Sequence, residues 1–204
     1  MNQEPIQVRC ILLGAAASGK STFLSKLNND NLNRNYSMTT RPVTRTKTYV
    51  ANNNRPAIQV VFIDCPGREE LYGKLVNDIV RRIGSKSIII AMFDVTNRTS
   101  LSSLETIINT IGKGDGNKTL ELNGILVANK IDLIDKRIVT SNEGQLKSKM
   151  FKLRYMECSS LDDLTVQEFD QLLNDIVHNI DRTEQTNGLN VPSTRSNETN
   201  GEIN

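Results

Sequence analysis

At 204 residues the chain can bury most of its apolar surface in one core, which removes the need for a disulfide or metal staple. A net charge of +2 with 24% charged residues of mixed sign makes no electrostatic case for nucleic acid or an anionic membrane as the main partner. No apolar run reaches the roughly 18 residues of a membrane span. The N-terminus Met1-Asn2-Gln3-Glu4-Pro5 lacks the basic-then-apolar pattern of a secretory signal. Cys10, Cys65 and Cys158 are isolated, each in or beside an apolar run. That is the pattern of buried thiols in a reducing compartment, so the expected location is cytoplasmic.

The apolar run 8–13 ends at a glycine-rich loop, and helical spacing follows over 21–27, giving strand, loop and helix. The Asn-rich stretch 28–35 predicts a surface loop. Residues 44–51 and 57–65 read as two strands of a hairpin around the turn cluster Asn52-Asn53-Asn54-Arg55-Pro56. Leu71, Leu75, Ile79 and Ile83 share one face of a predicted helix over 71–83. The continuous apolar run 87–93 predicts a strand covered on both sides. Leu101, Leu104, Ile108 and Ile111 form the buried stripe of a helix over 99–111. A glycine- and charge-bearing loop over 112–123 leads to a buried strand at 124–128 and a helix at 141–151 capped by Ser141. A short strand at 155–158 and a closing helix at 166–180 complete the pattern.

Strands alternating with helices after a hairpin specify an α/β fold, a mostly parallel six-stranded sheet with one antiparallel hairpin strand and helices on both faces. One domain is expected over 5–182. The polar, aromatic-free stretch 183–204 reads as a disordered tail.

Gly14-Ala15-Ala16-Ala17-Ser18-Gly19-Lys20-Ser21 fits the P-loop pattern GxxxxGK[ST] and lies between a strand and a helix, as that pattern requires. Such a loop turns backbone N–H groups and a helix N-terminus toward phosphates; Lys20 reaches the β and γ oxygens, and the Ser21 hydroxyl is offered to Mg²⁺. Thr22 follows in the same turn and is counted with the phosphate site. Asp64-Cys65-Pro66-Gly67 follows a strand, which places Asp64 to hold Mg²⁺ through water and the Gly67 N–H to meet a γ-phosphate. Taken alone, Asp-x-x-Gly is more often a plain turn.

In Asn129-Lys130-Ile131-Asp132, the Asp132 carboxylate matches the two N–H donors on one edge of guanine, and Asn129 matches the purine from the other side. Adenine would leave Asp132 desolvated and unpaired, a strong ground for rejection. Lys130 belongs to the same base site. Glu157-Cys158-Ser159-Ser160 ends the last strand; Cys158, Ser159 and Ser160 border the base there, with the Ser159 and Ser160 N–H groups as candidates for the guanine oxygen. All four segments follow strands of one parallel sheet, whose carboxyl ends open on a shared crevice.

From Val8 to Ile180 these motifs make the sequence resemble the Ras superfamily of small GTPases. The resemblance implies GTP/GDP and Mg²⁺ as cofactors and two segments that change shape when the γ-phosphate is lost. It also implies a Mg²⁺-binding threonine after the P-loop helix, and spacing from Lys20 and Tyr36 favours Thr39 over Thr40. Lys20, Thr39, Gly67 and Arg68 are then the implied catalytic group, and Ser21, Thr39 and Asp64 the metal group. Two departures concern turnover. Arg68 stands where most active members carry a water-orienting glutamine, and Ala16 where glycine is common. Both predict hydrolysis slower than the roughly 10⁻⁴ per second of unaided family members. No cysteine lies beyond Cys158 and no Met-Gly opens the chain, so no direct lipid anchor is expected and the chain acts in solution or through proteins.

Segments 36–40, 61–71 and 124–130 are further similar to the Rab-like GTPase subunits of the intraflagellar transport B complex, although Arg41-Pro42 departs from their pattern. That similarity implies ciliary cargo transport and docking on a small β-sandwich partner subunit, as a monomer or hetero-oligomer. The alternatives are another soluble Rab- or Ras-like regulator and a GTP-locked scaffold without turnover. A P-loop kinase would share Lys20 and Ser21 but has no use for Asn129 and Asp132. Lys147, Lys149, Lys152 and Arg154 read as solvated charge near a helix end, and His178 as an ordinary helix residue. Tyr36, Tyr49 and Tyr72 lie in or beside the expected switch face, as effector anchors or as packing.

Overall fold

The computed structural model describes residues 5–30, 38–50, 57–68, 87–112 and 122–188. The predicted helix over 71–83, the turn at 52–56, Tyr36, Tyr72 and the tail beyond 188 lie outside these residues. The strands are β1 Ile6–Leu13, β2 Val43–Tyr49, β3 Ile58–Asp64, β4 Ser87–Asp94, β5 Gly124–Asn129 and β6 Arg154–Cys158. The helices are α1 Lys20–Leu27, α2 Arg98–Gly112, α3 Ser141–Phe151 and α4 Asp163–Gly188, with a 3₁₀ turn at Ile134–Lys136. Among the described residues no helix is long and apolar enough to cross a membrane.

The six strands form one sheet in the order β2-β3-β1-β4-β5-β6. Only β2 runs antiparallel, against β3; the other pairs are parallel. Every residue of β4 and β5 is buried, which is why these strands read as unbroken apolar runs. β3 alternates between buried and half-buried positions, and the edge strand β2 is largely exposed. Alternate residues of β1 feed two cores. Cys10 and Leu12 join Phe23 and Leu24 of α1 and Phe169 and Leu173 of α4, while Ile11 and Leu13 join Leu101, Leu104 and Ile108 of α2. Phe23 meets Phe169 edge to face, with ring centres 4.7 Å apart, a favourable geometry for two aromatic quadrupoles. All three cysteines are free and buried, and burial pushes their thiol pKa values up.

Several local expectations are corrected. Thr140, in extended conformation, caps α3 by accepting the Glu143 N–H at 3.3 Å, and Ser141 is instead the first helical residue. The closing helix passes Ile180 and ends at Gly188. The polar stretch 181–187 contains no glycine or proline to stop propagation, so a change in composition is not a helix terminus. Tyr49 is 8% exposed; its hydroxyl donates to Asp170 Oδ1 at 2.5 Å, and Lys47 Nζ donates to Asp170 Oδ2 at 2.6 Å. Of the two readings of Tyr49, packing is the one the structure gives, since it ties β2 to α4. Lys147 is paired with Glu105 at 2.7 Å, tying α3 to α2.

Candidate functional site

Strand register assembles the site. Leu12 is level with Asp64, Leu13 with Ala91, Asp94 with Asn129, and Asn129 with Cys158. The glycine-rich loop leaving β1 and the loops leaving β3, β5 and β6 therefore emerge side by side at the carboxyl end of the sheet.

At the phosphate end, the loop bends where only small residues fit. Gly14 and Gly19 have φ of +148° and +100°. A Cβ on Gly14 would stand 2.1 Å from the Met92 carbonyl oxygen, and one on Gly19 2.1 Å from Asn129 Nδ2. Lys20 is buried and donates from Nζ to the carbonyl oxygens of Gly14 (2.8 Å) and Ala15 (2.9 Å). Burial pushes its pKa down to about 8, against the upward pull of Asp64. An anion placed beside Nζ would relieve that desolvation. Ser21 Oγ donates to Asp64 Oδ2 at 2.6 Å and lies 3.0 Å from Thr39 Oγ1. Thr40 is exposed and Thr39 half-buried, with its hydroxyl turned to Ser21. Burial raises the Asp64 carboxyl pKa even though Ser21, Lys20 and Arg45 all act to lower it.

Gly67 is seated directly on the P-loop, where an added Cβ would lie 2.4 Å from Ala16 N and 2.5 Å from Ala16 Cα. Ala16 and Arg68 are thus linked through Gly67. The exposed Arg68 follows at once and donates from Nε to Met38 Sδ at 3.1 Å, linking the segment after β3 to the one carrying Thr39.

The residues fit Mg²⁺. Asp64 Oδ1 is buried with no hydrogen-bond partner, and with the Ser21 hydroxyl on its Oδ2 and the Thr39 hydroxyl next to Ser21 the group offers one carboxylate and two hydroxyls, the hard oxygen donors that this ion prefers. A cluster of three or more His, Cys, Asp or Glu side chains, the pattern of other metals, is absent among the described residues.

At the base end, Asn129 is fully buried and braces the crevice. Its Nδ2 donates to the Ser18 carbonyl oxygen at 2.8 Å, and its Oδ1 accepts from Ser160 N and Ser160 Oγ, each at 2.9 Å. This bracing was not visible in the sequence. In the structure the Ser160 N–H donates to Asn129 Oδ1 and the Ser159 N–H to Thr165 Oγ1 at 3.1 Å. Buried backbone donors take partners, and Asn129 and Thr165 are the nearest. Cys158 is in the core, its Sγ 3.5 Å from Thr165 Oγ1.

Lys130 adopts φ of +67° and pairs with Asp94 Oδ2 at 2.6 Å. Burial acts to raise the Asp94 carboxyl pKa, but bonds from Lys130 and Thr96 outweigh it and hold it below its ordinary value. Asp94 went unremarked in the sequence, although a carboxylate ending an apolar run was a readable signal. Asp132 is exposed, with no hydrogen bond or ion pair among the described residues. Ser18 is buried and its hydroxyl unpaired, while Thr22 is half-buried in the first turn of α1.

The sequence pattern of the Ras family matches residues 9–180. The chain is 27% identical to the Ras-related protein Rab-1 of Theileria annulata over 78% of this chain and 69% of that protein. It is 25% identical to the intraflagellar transport protein 27 homolog of Trypanosoma brucei brucei, over 80% and 85% respectively. Identity to the Ras-related protein RabC of Dictyostelium discoideum is 26%, over 85% and 86%.

Proposed function

The chain belongs to the Ras family, and from that premise we propose that it is a slow guanine-nucleotide switch serving as a Rab-like subunit of intraflagellar transport, in the cytoplasm and the cilium. GTP or GDP is held with Mg²⁺ across the loops that leave β1, β3, β5 and β6. The observation that carries the nucleotide reading is the meeting of Ser21, Thr39 and Asp64 oxygens beside a buried, unpaired carboxylate atom. Bound there, Mg²⁺ supplies charge neutralisation for the phosphates.

The chain's own groups do the rest. Lys20 leaves the Gly14 and Ala15 carbonyls to pair with phosphate oxygens, and Gly67 offers its N–H to a γ-phosphate from its seat on Ala16. Asp132 receives the guanine edge donors. Arg68 supplies positive charge but no amide to orient an attacking water, and the Ala16 methyl narrows the approach to the γ-phosphate. Turnover is accordingly slow, and an arginine supplied in trans finds little room.

The ciliary assignment is supported by the likeness to the trypanosome homolog across most of its length. A second reading, a soluble Rab-type regulator of other traffic, is favoured by the equal likeness to Rab-1 and RabC. Affinity capture on GTP- and GDP-loaded protein separates them. Recovery of intraflagellar transport subunits, including a small β-sandwich protein, supports the first. Recovery of vesicle-tethering proteins in the GTP state alone supports the second, and equal recovery in both nucleotide states supports a scaffold in which the nucleotide shifts nothing.

A further inference from the structure

Asp132 is exposed and makes no side-chain bond among the described residues, so its position depends on the backbone that carries it. Upstream, that backbone is fixed by Lys130 on Asp94 (2.6 Å) and by the Ile131 N–H on the Cys158 carbonyl (3.4 Å). Downstream comes the 3₁₀ turn Ile134–Lys136 and then Arg137. The Arg137 guanidinium grips both carboxylate oxygens of Glu157, Nη1 reaching Oε2 at 3.1 Å and Nη2 closing on Oε1. Its Nε donates to the Val139 carbonyl at 2.8 Å, and the Ile138 and Val139 N–H groups both donate to the Val95 carbonyl at 2.9 Å. Glu157 is held in turn by the Tyr155 hydroxyl at 2.8 Å. The Tyr155 ring lies on Gly144 of α3, where an added Cβ would stand 2.6 Å from it.

We infer that Arg137 and Glu157 are positioning residues for guanine discrimination, a two-toothed clamp that sets the distance between the Asp132 loop and the Ser160 loop. Three features support this. The pair joins the two loops that flank the base, since Glu157 lies in β6 immediately before Cys158-Ser159-Ser160 and Arg137 lies five residues after Asp132. Its forked geometry fixes direction as well as distance, which a lysine could not do. Both side chains are half-buried, 24% and 27% exposed, so the pair is screened less than a surface ion pair.

The inference rests on Asp132 receiving the guanine edge, and its test separates the two. Full-length wild type, Arg137→Met, Arg137→Lys, Glu157→Gln and Asp132→Ala are titrated with GDP and with IDP, which lacks the exocyclic amino group that Asp132 would bind, in competition with a fluorescent GDP. The clamp predicts that Arg137→Met and Glu157→Gln reduce the GDP-over-IDP preference about tenfold with little change for IDP. Arg137→Lys, which is the variant least able to unfold the chain, reduces it too. Equal weakening of GDP and IDP in these variants overturns the clamp and leaves a plain structural ion pair. An unchanged preference in Asp132→Ala overturns the guanine assignment and the clamp with it.

Discussion

Replacing Asn129 with alanine removes one side chain and strands two buried backbone groups. The Ser18 carbonyl loses a 2.8 Å bond and the Ser160 N–H a 2.9 Å bond, at a position with no exposed surface. Each buried group left unpaired costs about 1–3 kcal/mol, so the pair costs about 2–6 kcal/mol. The Ser160 hydroxyl can turn to another acceptor and adds little. For a domain of this size, each kcal/mol lowers the melting temperature by about 2–4 °C, and the middle of the range gives a fall of roughly 8–16 °C. Thermal unfolding of nucleotide-free protein, repeated at saturating GDP, reads the effect. Bracing of the P-loop against the β6 loop predicts most of the fall without nucleotide. Asn129→Asp keeps the shape but turns a carboxylate oxygen onto the Ser18 carbonyl, and the same reasoning makes it at least as damaging. A loss seen only in the GDP-bound protein, with nucleotide-free stability unchanged, refutes the bracing.

The other predictions follow from individual contacts. Gly67→Ala drives a methyl onto the Ala16 backbone at 2.4 Å, and calorimetric titration should show GTP affinity falling more than GDP affinity, because only the γ-phosphate needs the Gly67 N–H. Arg68→Gln combined with Ala16→Gly should raise single-turnover GTP hydrolysis above that of the wild type, which itself should not exceed about 10⁻⁴ per second; no acceleration would remove these residues from the explanation of slow turnover. The Asp94 carboxyl has a depressed folded-state pKa, so its contribution to stability is present above the unfolded value and is lost as pH falls through the folded one. Urea unfolding midpoints between neutral pH and about pH 3 should fall less steeply in Lys130→Met than in the wild type.

Motifs whose meaning lies in spacing were legible in the sequence. The P-loop from Gly14 to Ser21, Asp64 after a strand, and Asn129 with Asp132 are defined by chain position, and the parallel sheet brings their strand ends together by topology alone. The runs forming β4 and β5 were equally plain, because burial on both faces erases alternation. Contacts that depend on which neighbour arrives first were not legible. Whether Thr140 or Ser141 caps α3 turns on one residue's ψ. The Ser159 and Ser160 N–H groups look outward in the chain but are taken by Thr165 and Asn129 in the fold. Tyr49 looked as available as Tyr36 until Asp170, 121 positions away, claimed its hydroxyl. The span of α4 beyond Ile180 shows that a polar composition does not by itself end a helix.

The most direct test of the central claim is nucleotide release from the purified full-length chain. GTP, GDP and ATP would be loaded in turn and dissociation followed with Mg²⁺ present and after chelation. The account predicts that GTP and GDP are retained, that chelation accelerates their release because Ser21, Thr39 and Asp64 lose their shared ion, and that ATP does not compete. Binding of ATP as tight as that of GTP, or release indifferent to Mg²⁺, would contradict it.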